Sequence, residues 1–285
     1  MRQFTTMARS WLVWLVVVVA AGRAVAAPEA ELWEKWTAHD PDSTTVIDHG
    51  VWSALLGRYV VADRASGINL FDYGAVTPED RSGLVAYIQR MAATPISTYS
   101  RAEQFAYWAN LYNALTVNVV LDAYPVDSIR DIDISPGWFS DGPWGKALVM
   151  VEGEELSLDD IEHRILRPIW QDPRIHYAVN CASMGCPQLY PKAFTPASME
   201  AMLDQAAHDY VNHPRGVTVK GDGGLTLSSI YDWYGGDFGK DEAGIIAHLV
   251  RHAEPSLAES LKAATGIDGY DYDWALNDAA RISRR

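Results

Sequence analysis

A helix predicted from about residue 101 to residue 123 constrains the fold most, because apolar side chains cover nearly its whole circumference. At 100° per residue, large side chains share one face and smaller apolar ones lie on another. The two sets are Phe105, Trp108, Tyr112, Leu115 and Val119, and Ala106, Val117, Val120 and Leu121. Only a narrow stripe near Gln104, Asn118 and Asp122 remains for solvent. We therefore expect this helix to be largely buried.

Two asparagines, Asn110 and Asn113, fall on the second apolar side of this helix. A buried amide needs hydrogen-bond partners, since an unmet one costs about 1–3 kcal/mol. One interpretation is that the two amides tie the helix to neighbouring backbone. The other is that they orient a catalytic group or a ligand, which makes both residues candidates for a site.

Helix and strand patterns alternate along the rest of the chain without a regular βαβ period. Helical patterns cover 52–62, 79–93, 157–170, 199–211 and 245–252, and hairpin patterns pair 146–151 with 154–156 and 217–220 with 225–227. Two cysteines are too few for a disulfide-built scaffold, so the fold must rest on apolar packing. The chain is predicted to be α+β, a largely helical single domain with a small, mainly antiparallel sheet.

Residues 1–27 are typical of a secretory signal peptide, with Arg2 and Arg9, an apolar run over 11–21, and small residues just before Pro28. The apolar run is about half the roughly 20 residues that a membrane span needs. A retained anchor is the alternative, although no later stretch is long and apolar enough to span a bilayer. The mature chain is expected to be soluble and exported, either periplasmic or secreted.

Removing residues 1–27 deletes three arginines and no acids, which leaves 20 basic against 37 acidic residues, a formal balance of −17. Nucleic acids and anionic membranes bind cationic surfaces, so an acidic chain is a poor candidate for either. Metal binding is not indicated, because there is no C-x-x-C pair and no H-E-x-x-H motif. No cofactor is expected, and the partner classes left open are a small molecule, a glycan or a peptide.

The helix that begins near Ser157 opens with a pattern similar to a capping box, with Asp in place of the usual Glu. Glu162 projects into its apolar face, where a carboxylate is poorly hydrated. Desolvation would raise the pKa of Glu162 toward general acid or base use, whereas Arg174 or Arg164 nearby would lower it and make the pair structural. His163 points about 100° away from Glu162, so the two do not form an obvious pair.

The chain's two cysteines, Cys181 and Cys186, follow a segment whose alternation predicts a strand from Arg174 to Asn180. In that strand, Arg174 and His176 share one face. An extended chain would place His176 about 16 Å from Cys181, at roughly 3.3 Å per residue, which is too far for a direct dyad. Nucleophilic catalysis needs a thiolate and a base within hydrogen-bond reach, so another residue would have to fold back. The alternative is that His176 is structural.

The cysteines themselves have two interpretations. Export favours oxidation, and the four residues between Cys181 and Cys186 permit a tight disulfide-closed loop. Closing so short a loop would stabilise the fold by about 2 kcal/mol at best. As free thiols, the same residues are candidate nucleophiles. Both redox states stay open at this point.

A turn-rich aromatic segment over 131–145 is predicted to be a loop or a lid. It carries Trp138, Phe139 and Trp144, which would present their rings to a glycan or a peptide if they were exposed. Burial in the core is the more ordinary fate of such rings.

Four ordered segments carry a family resemblance: FAYWANLYNALTVNVVLDAYP (105–125), SLDDIEHRIL (157–166), DPRIHYAVNCASMGCPQL (172–189) and SSIYDWYGGDF (228–238). Together they resemble the domain-of-unknown-function family 547. The resemblance is densest from about residue 98 to residue 212. It implies that family motif positions are occupied by Asn110, Asn113, Glu162, His163, Arg174, His176, Cys181, Cys186 and Pro187. It implies no activity.

Four parts of the chain follow from these patterns. Residues 1–27 are expected to be the signal peptide, and 28–97 an N-terminal helical part of the globular unit. The family core would occupy 98–212, with a C-terminal hairpin and helices, 213–285, packed on it.

Two functions are compatible with the sequence, and whether the protein is an enzyme stays open. The first is a hydrolase or acyl transferase with a cysteine-peptidase-like polar site. Its candidate nucleophiles are Cys181 and Cys186. Its candidate bases are His176 and His163, with Glu162 nearby. Its candidate orienting or oxyanion-stabilising amides are Asn110 and Asn113. The second is a non-catalytic envelope binding module with a structural Cys181–Cys186 disulfide. The candidate substrate-binding residues are Arg174, His163, Trp138 and Trp144.

Overall fold

Helices carry most of the regular structure in the computed structural model, which describes residues 28–137 and 141–284. The predicted signal peptide, 1–27, lies outside the described residues. The α-helices are α1 (Gly50–Tyr59), α2 (Pro78–Ala92), α3 (Arg101–Ala123), α4 (Arg167–Trp170), α5 (Ile175–Ala178), α6 (Met199–Val211), α7 (Ile230–Trp233), α8 (Gly235–Phe238), α9 (Glu242–His252) and α10 (Pro255–Lys262). The strands are β1 (Val60–Asp63), β2 (Ile68–Phe71), β3 (Val149–Val151), β4 (Glu154–Leu156), β5 (Val217–Val219), β6 (Gly224–Ser228) and β7 (Gly266–Asp271). A π-helix spans Asp160–Leu166, and short 3₁₀ segments lie at Glu34–Thr37, Tyr73–Ala75, Ile96–Thr98, Ile129–Asp131 and Ala279–Arg284.

Helix α3 begins and ends where the sequence predicts, and it forms the centre of the main core. The Ser100 hydroxyl caps its first turn by accepting a hydrogen bond from Glu103 N at 3.4 Å. Buried side chains surround the helix, which packs against α2 and the π-helix. One part of the predicted solvent stripe is wrong. Gln104 is 1% exposed, because its Nε2 donates to Ala38 O and Ile96 O.

Small sheets lie around the helices. β1 pairs with β2, β3 with β4 and β5 with β6, all antiparallel, while β7 adds to β6 in parallel. The predicted hairpins β3–β4 and β5–β6 are confirmed. The helix predicted for 52–62 ends earlier, at Tyr59, because Val60–Asp63 pairs with β2. The architecture is the predicted α+β domain, and within the described ranges no helix has the length and apolar character needed to cross a membrane.

A proline shapes the backbone where the π-helix passes into α4. Pro168 has no N–H, so it cannot donate to His163 O, five residues back, or to Arg164 O, four residues back. The N-terminal backbone supplies both bonds instead. Glu31 N donates to His163 O and Trp33 N donates to Arg164 O, each at 3.0 Å. The N-terminal segment is therefore fixed along the π-helix.

The segment from Arg174 to Asn180 is not the strand that its alternation predicts. Its middle forms the single helical turn α5, after a turn in which Arg174 N donates to Asp172 Oδ1 at 2.8 Å. Ile175 packs into the main core, whereas Tyr177 packs into a second core with α6 and α9. In a segment this short, alternation of side chains between two sides is compatible with a helical turn as well as with a strand, so the pattern does not distinguish the two. The extended spacing expected between the histidine and the first cysteine therefore does not apply.

Candidate functional site

A histidine lies between two carboxylates in the interior of the protein. The π-helix directs Glu162 inward and α5 does the same for His176, so that their side chains are 9% and 2% exposed. Glu162 Oε1 is 3.4 Å from His176 Nδ1, an ion-pair distance that lacks hydrogen-bond geometry. On the other side of the ring, His176 Nε2 lies 2.8 Å from Asp237 Oδ2, which belongs to α8. We name Glu162, His176 and Asp237 the acid–imidazole group.

An arginine and a tyrosine fix the imidazole in place. From α4, Arg167 donates through Nε to Asp237 Oδ2 at 2.6 Å and through Nη1 to His163 Nδ1 at 3.0 Å. The Arg167 guanidinium lies 4.8 Å from the centre of the Tyr234 ring. His176 stacks on the same ring, with centres 4.3 Å apart and planes inclined by 12°. The imidazole on α5 is therefore held by side chains from α4 and from the α7–α8 segment, while Glu162 faces it from the π-helix.

Both carboxylates of the acid–imidazole group are ionised at neutral pH. Burial alone would raise the pKa of Glu162, but interactions with His163 first, and then with His176 and Arg167, outweigh it and lower the pKa to about 2. Burial also opposes ionisation of Asp237, and here the hydrogen bonds from His176 and Arg167 hold the pKa well below its usual range. The group therefore offers negative charge on both sides of the imidazole.

A third carboxyl group, that of Asp159, has a raised pKa. Its Oδ1 lies 3.7 Å from His163 Nε2. Partial burial, followed by the charges of Glu162 and Asp160, raises the pKa of Asp159 to about 7. Burial lowers the pKa of His163 to about 4, so this imidazole is neutral near pH 7. Carboxyl groups whose pKa values are pushed apart are typical of an acid and a base in one site. No group of three or more His, Cys, Asp or Glu side chains in the described part of the chain is arranged to hold a metal ion.

The two cysteines lie side by side. Both are free thiols in the structure, and their sulfurs are 2.8 Å apart. Cys181 is half-buried, and its sulfur also contacts Tyr272 Oη at 3.0 Å and Ser183 Oγ at 3.4 Å. Cys186 is 4% exposed, and its sulfur accepts a hydrogen bond from Cys181 N at 2.8 Å. We name Cys181 and Cys186 the thiol pair.

The two thiols differ in acidity. Burial opposes ionisation of Cys181, but hydrogen bonds with Cys186 first, and then with the two neighbouring hydroxyls, outweigh it and lower the pKa. Burial and the adjacent Cys181 sulfur raise the pKa of Cys186 well above its usual value. Cys181 is therefore the more acidic member of the pair and Cys186 the less acidic one.

Glu162 and Tyr234 connect the acid–imidazole group with the thiol pair. The charge of Glu162 reaches Cys181 and opposes its ionisation. Tyr234, stacked on His176, has its pKa raised by burial and then by the charges of Glu162 and Cys181. The pKa of Tyr112, on α3, is raised in the same way, by burial first and then by the charges of Glu162 and Cys181. The two groups share one electrostatic environment, although among the described residues no histidine hydrogen-bonds to either sulfur.

The amides of both predicted asparagines bind backbone. Asn113 Nδ2 donates to Ala178 O at 2.9 Å, and Asn113 Oδ1 accepts from Asn180 N at 2.8 Å. Asn110 makes the same pair of bonds with Phe194, accepting from its N–H at 3.0 Å and donating to its C=O at 2.8 Å. Through Asn113, α3 holds the backbone that joins the acid–imidazole group to the thiol pair. These contacts agree with the interpretation that the two amides tie α3 to neighbouring backbone. A catalytic role for either amide stays a prediction.

Half-buried aromatic rings gather beside the thiol pair. The Tyr272 ring centre lies 4.7 Å from that of Trp274 and 4.8 Å from that of Trp233. Trp144 packs edge-on against Trp274 at 5.6 Å, so it is held among other rings rather than projecting alone. We name Trp144, Trp233, Tyr272 and Trp274 the aromatic cluster. The other aromatic residues of the predicted loop, which lie outside the described residues, are Trp138 and Phe139.

The two arginines predicted as partners of Glu162 bind other carboxylates. Arg164 Nη1 donates to Asp160 Oδ1 at 3.0 Å. Arg174 donates to three carboxylates at 2.6–2.9 Å, those of Asp172, Glu200 and Asp204. The predicted pairing of either arginine with Glu162 is therefore wrong: Asp160 lies about one helical turn before Arg164 and on the same face, and Arg174 reaches Asp172 and two carboxylates of α6. A substrate-binding role for Arg174 stays a prediction.

Sequence reasoning missed Arg167, Asp237 and Tyr272. Arg167 was within reach of a local rule, since it lies four residues after His163 and so one helical turn away. Asp237 and Tyr272 reach the site only through the fold. They are 61 and 91 residues from the side chains that they contact. No local pattern in the sequence pairs positions so far apart.

The match to known proteins covers the segments that build this site. Residues 96–211 match the model of a family described as protein of unknown function, DUF547. That range contains α3, the π-helix, α5, the thiol pair and α6, whereas Tyr234, Asp237 and Tyr272 follow it. No curated protein and no solved structure matches the chain. The resemblance read from the sequence is confirmed over residues 96–211, which match the model of this family of unknown function.

Proposed function

We propose that the protein is a hydrolase or acyl transferase in which Cys181 is the nucleophile. One observation carries the proposal. Cys181 is a half-buried residue whose sulfur hydrogen-bonds with Tyr272 and Ser183, and the pKa of its thiol is lowered. The thiolate, rather than the thiol, attacks a carbonyl carbon. Hydrogen bonds that favour the thiolate let Cys181 reach this state without contact with a histidine.

In the proposed reaction, the Cys181 sulfur forms a thioester with an acyl group of the substrate, and the amine or alcohol leaves with a proton. Water then breaks the thioester in a hydrolase, and a second acceptor breaks it in a transferase. The hydroxyls of Tyr272 and Ser183, which contact the Cys181 sulfur, are the candidate donors to the oxyanion that forms on the substrate carbonyl. The leaving group takes up its proton from solvent water, because no member of the acid–imidazole group hydrogen-bonds to the Cys181 sulfur.

Acyl capture tests this assignment. The reduced protein is incubated with a series of activated esters, thioesters and peptides, quenched in acid, and weighed by intact-mass spectrometry. We expect one acyl group on Cys181 in the wild type and in Cys186→Ser, the matched control that keeps the nucleophile. Cys181→Ala should carry none. Acylation or turnover that persists in Cys181→Ala would contradict the proposal.

The aromatic cluster favours a second candidate, a non-catalytic envelope binding module with a structural disulfide between Cys181 and Cys186. The rings of Trp233, Tyr272 and Trp274 lie 4.7–5.6 Å from one another and are only half-buried. Such rings offer flat apolar surface to a sugar ring or a peptide side chain. In this candidate the cysteines act only on stability.

Ligand titration separates the two candidates. Intrinsic fluorescence and calorimetry are measured with envelope glycan fragments and short peptides. A binding module should keep its affinity in Cys181→Ala and lose it in Trp233→Ala. Trp33→Phe is the control, since Trp33 packs on Trp36 outside the aromatic cluster. Equal affinity in Trp233→Ala and the wild type would exclude this surface as the binding site.

We also propose that the chain is exported, with residues 1–27 acting as a signal peptide. The support is the residue pattern, with Arg2 and Arg9, an apolar run and small residues before Pro28. Cell fractionation with N-terminal sequencing tests it. An exported protein whose first residue is at or near Pro28 is expected. Full-length protein in the cytosol would contradict export, and full-length protein in the membrane would favour the retained anchor.

A further inference from the structure

The geometry of the thiol pair is close to that of a bond between the sulfurs. Sγ of Cys181 and Sγ of Cys186 are 2.8 Å apart. An approach of roughly 0.8 Å would bring them to the length of a disulfide, about 2.05 Å. The reduced structure therefore already holds the sulfurs in the relation that an oxidised pair requires.

Contacts outside the loop, rather than a sulfur bond, hold the two cysteines in this position. Met184 N donates to Ala275 O and Gly185 N donates to Asp273 O, both at 2.8 Å. Gly185 is packed so closely that a Cβ there would lie 2.9 Å from Asp273 N. Because the backbone is fixed before the sulfurs are joined, closing the bond needs little further ordering.

The two sulfurs have different surroundings. Cys181 is half-buried and lies beside the hydroxyls of Tyr272 and Ser183, which stabilise a thiolate. Cys186 is 4% exposed, with its sulfur 3.9 Å from Val179 O. The lowered pKa of Cys181 and the raised pKa of Cys186 agree with this difference. A half-buried, more acidic cysteine beside a fully buried one is typical of an attacking cysteine with its resolving partner.

We propose that Cys181 and Cys186 carry out thiol–disulfide exchange with disulfides of the glutathione type. The Cys181 thiolate attacks one sulfur of the ligand, so that a Cys181–ligand bond forms, the ligand S–S bond breaks, and one thiolate leaves and takes up a proton. Cys186 then attacks Sγ of Cys181, forms the protein disulfide, and gives its proton to the second leaving thiolate. The protein loses two electrons, the ligand gains them, and a dithiol reverses both steps. The exchange uses the nucleophile of the proposed acyl transfer but does not rest on that function.

Exchange with glutathione disulfide tests the proposal. The reduced full chain is mixed with glutathione disulfide, quenched with acid, alkylated and weighed by intact-mass spectrometry. We expect the wild type to lose both free thiols without retaining glutathione, and to regain them with dithiothreitol while still folded. Cys186→Ser should hold one glutathione on Cys181. Cys181→Ser should hold none until it is denatured.

A pair of tyrosine variants separates positioning of the thiolate from general packing. Tyr272→Phe removes the hydroxyl beside Cys181, so the rate of the first exchange step should move to higher pH. Tyr270→Phe is the matched control, because Tyr270 is 39% exposed two residues away. Equal pH profiles for both variants and the wild type would remove Tyr272 from the proposed mechanism.

Three results would overturn the exchange proposal. The first is wild-type protein that accumulates a mixed disulfide without closing the Cys181–Cys186 bond. The second is glutathione attached to Cys186 in place of Cys181. The third is a Cys181–Cys186 bond that resists dithiothreitol in the folded protein, which would make it structural. The first and third are read on the wild type alone, so they hold if a variant fails to fold, and none of the three depends on acyl capture.

Discussion

At the scale of a single residue, Asp237 orders the acid–imidazole group. Its Oδ2 accepts hydrogen bonds from His176 Nε2 at 2.8 Å and from Arg167 Nε at 2.6 Å. The pKa of Asp237 is held well below its usual range, so the acceptor is an anion at neutral pH. An anionic acceptor keeps a hydrogen on His176 Nε2, and the resulting ring orientation turns Nδ1 toward Glu162. One carboxylate thus fixes the position of the imidazole and the hydrogen on its Nε2.

Replacing Asp237 with Asn should destabilise the fold by about 1.5–3 kcal/mol, because Arg167, whose side chain is 6% exposed, loses a charged acceptor. Urea unfolding measures this loss, and nitrogen-15 spectra of the His176 ring report whether Nε2 keeps its hydrogen. Asp232→Asn is the control, since Asp232 is exposed on the preceding helix. Its change should stay within about 0.5 kcal/mol. Equal losses in the two variants would show that Asp237 has no special role.

At the scale of elements, α3 positions the site through backbone bonds. Asn113 receives the N–H of Asn180 and donates to the C=O of Ala178, which are the two peptide groups that flank Val179. This arrangement resembles a strand pairing made by one side chain. It fixes the exit of α5, and hence the distance between His176 and the thiol pair.

Asn113→Ala should therefore act on the thiols as well as on stability. It leaves the buried C=O of Ala178 and N–H of Asn180 without partners, at about 1–3 kcal/mol for each group. The loosened backbone should also let an alkylating reagent reach Cys186 faster, which mass spectrometry of timed samples measures. Asn118→Ala, on the half-exposed side of the same helix, is the control and should change neither quantity. Unchanged labelling of Cys186 in Asn113→Ala would contradict the positioning role.

Elements whose signals are local were predictable from the sequence. α3 and α6 have the predicted bounds, since a long apolar period specifies a helix. The predicted capping box also forms. Asp160 N donates to Ser157 Oγ at 3.1 Å, and Ser157 N donates to Asp160 Oδ2 at 3.0 Å. Both features depend only on residues within a few turns of one another.

The π-helix and α5 depend on distant residues and were not predictable. The carbonyls that Pro168 leaves open are filled by Glu31 and Trp33, which are far away in sequence. The same holds for the chemistry of the site. Asn110, Asn113 and Glu162 were recognised as buried polar residues on apolar faces, but their partners were not. The local sequence pattern predicts which polar side chains are buried, whereas the tertiary fold determines their hydrogen-bond partners.

At the scale of the whole molecule, buried neutral histidines make the fold sensitive to acid. Burial lowers the pKa of His49 and His163 to about 4 and that of His248 to about 3. Below about pH 6.5 the unfolded chain binds protons at these positions and the folded chain does not, so stability present above that pH is lost toward pH 4. Asp159 acts in the opposite direction. With its pKa raised to about 7, the folded state holds a proton there that the unfolded chain has released.

We expect the free energy of unfolding to fall from pH 7 to pH 4.5, because five histidines have lowered pKa values whereas only two of the described acids, Asp159 and Glu103, have raised ones. Urea unfolding at constant ionic strength measures the slope. His248→Gln should reduce that slope by up to about 1.4 kcal/mol per pH unit, the value of one proton. His39→Gln is the control, because His39 is exposed. A stability that stays flat or rises toward pH 4.5 would contradict the assignment, as would equal slopes for His248→Gln and the wild type.

The docked N-terminal segment bears on how the protein is prepared. Glu31 and Trp33 fill the carbonyls that Pro168 leaves open, and Pro28 O accepts a hydrogen bond from Arg167 Nη1 at 2.8 Å. A recombinant chain that begins at residue 34 would keep every side chain of the acid–imidazole group and the thiol pair. It would nevertheless leave the carbonyl groups of His163 and Arg164, beside these side chains, without the hydrogen-bond donors Glu31 N and Trp33 N. An affinity tag joined directly to Pro28 would lie next to Arg167. The choice of the first residue can therefore change the measured activity.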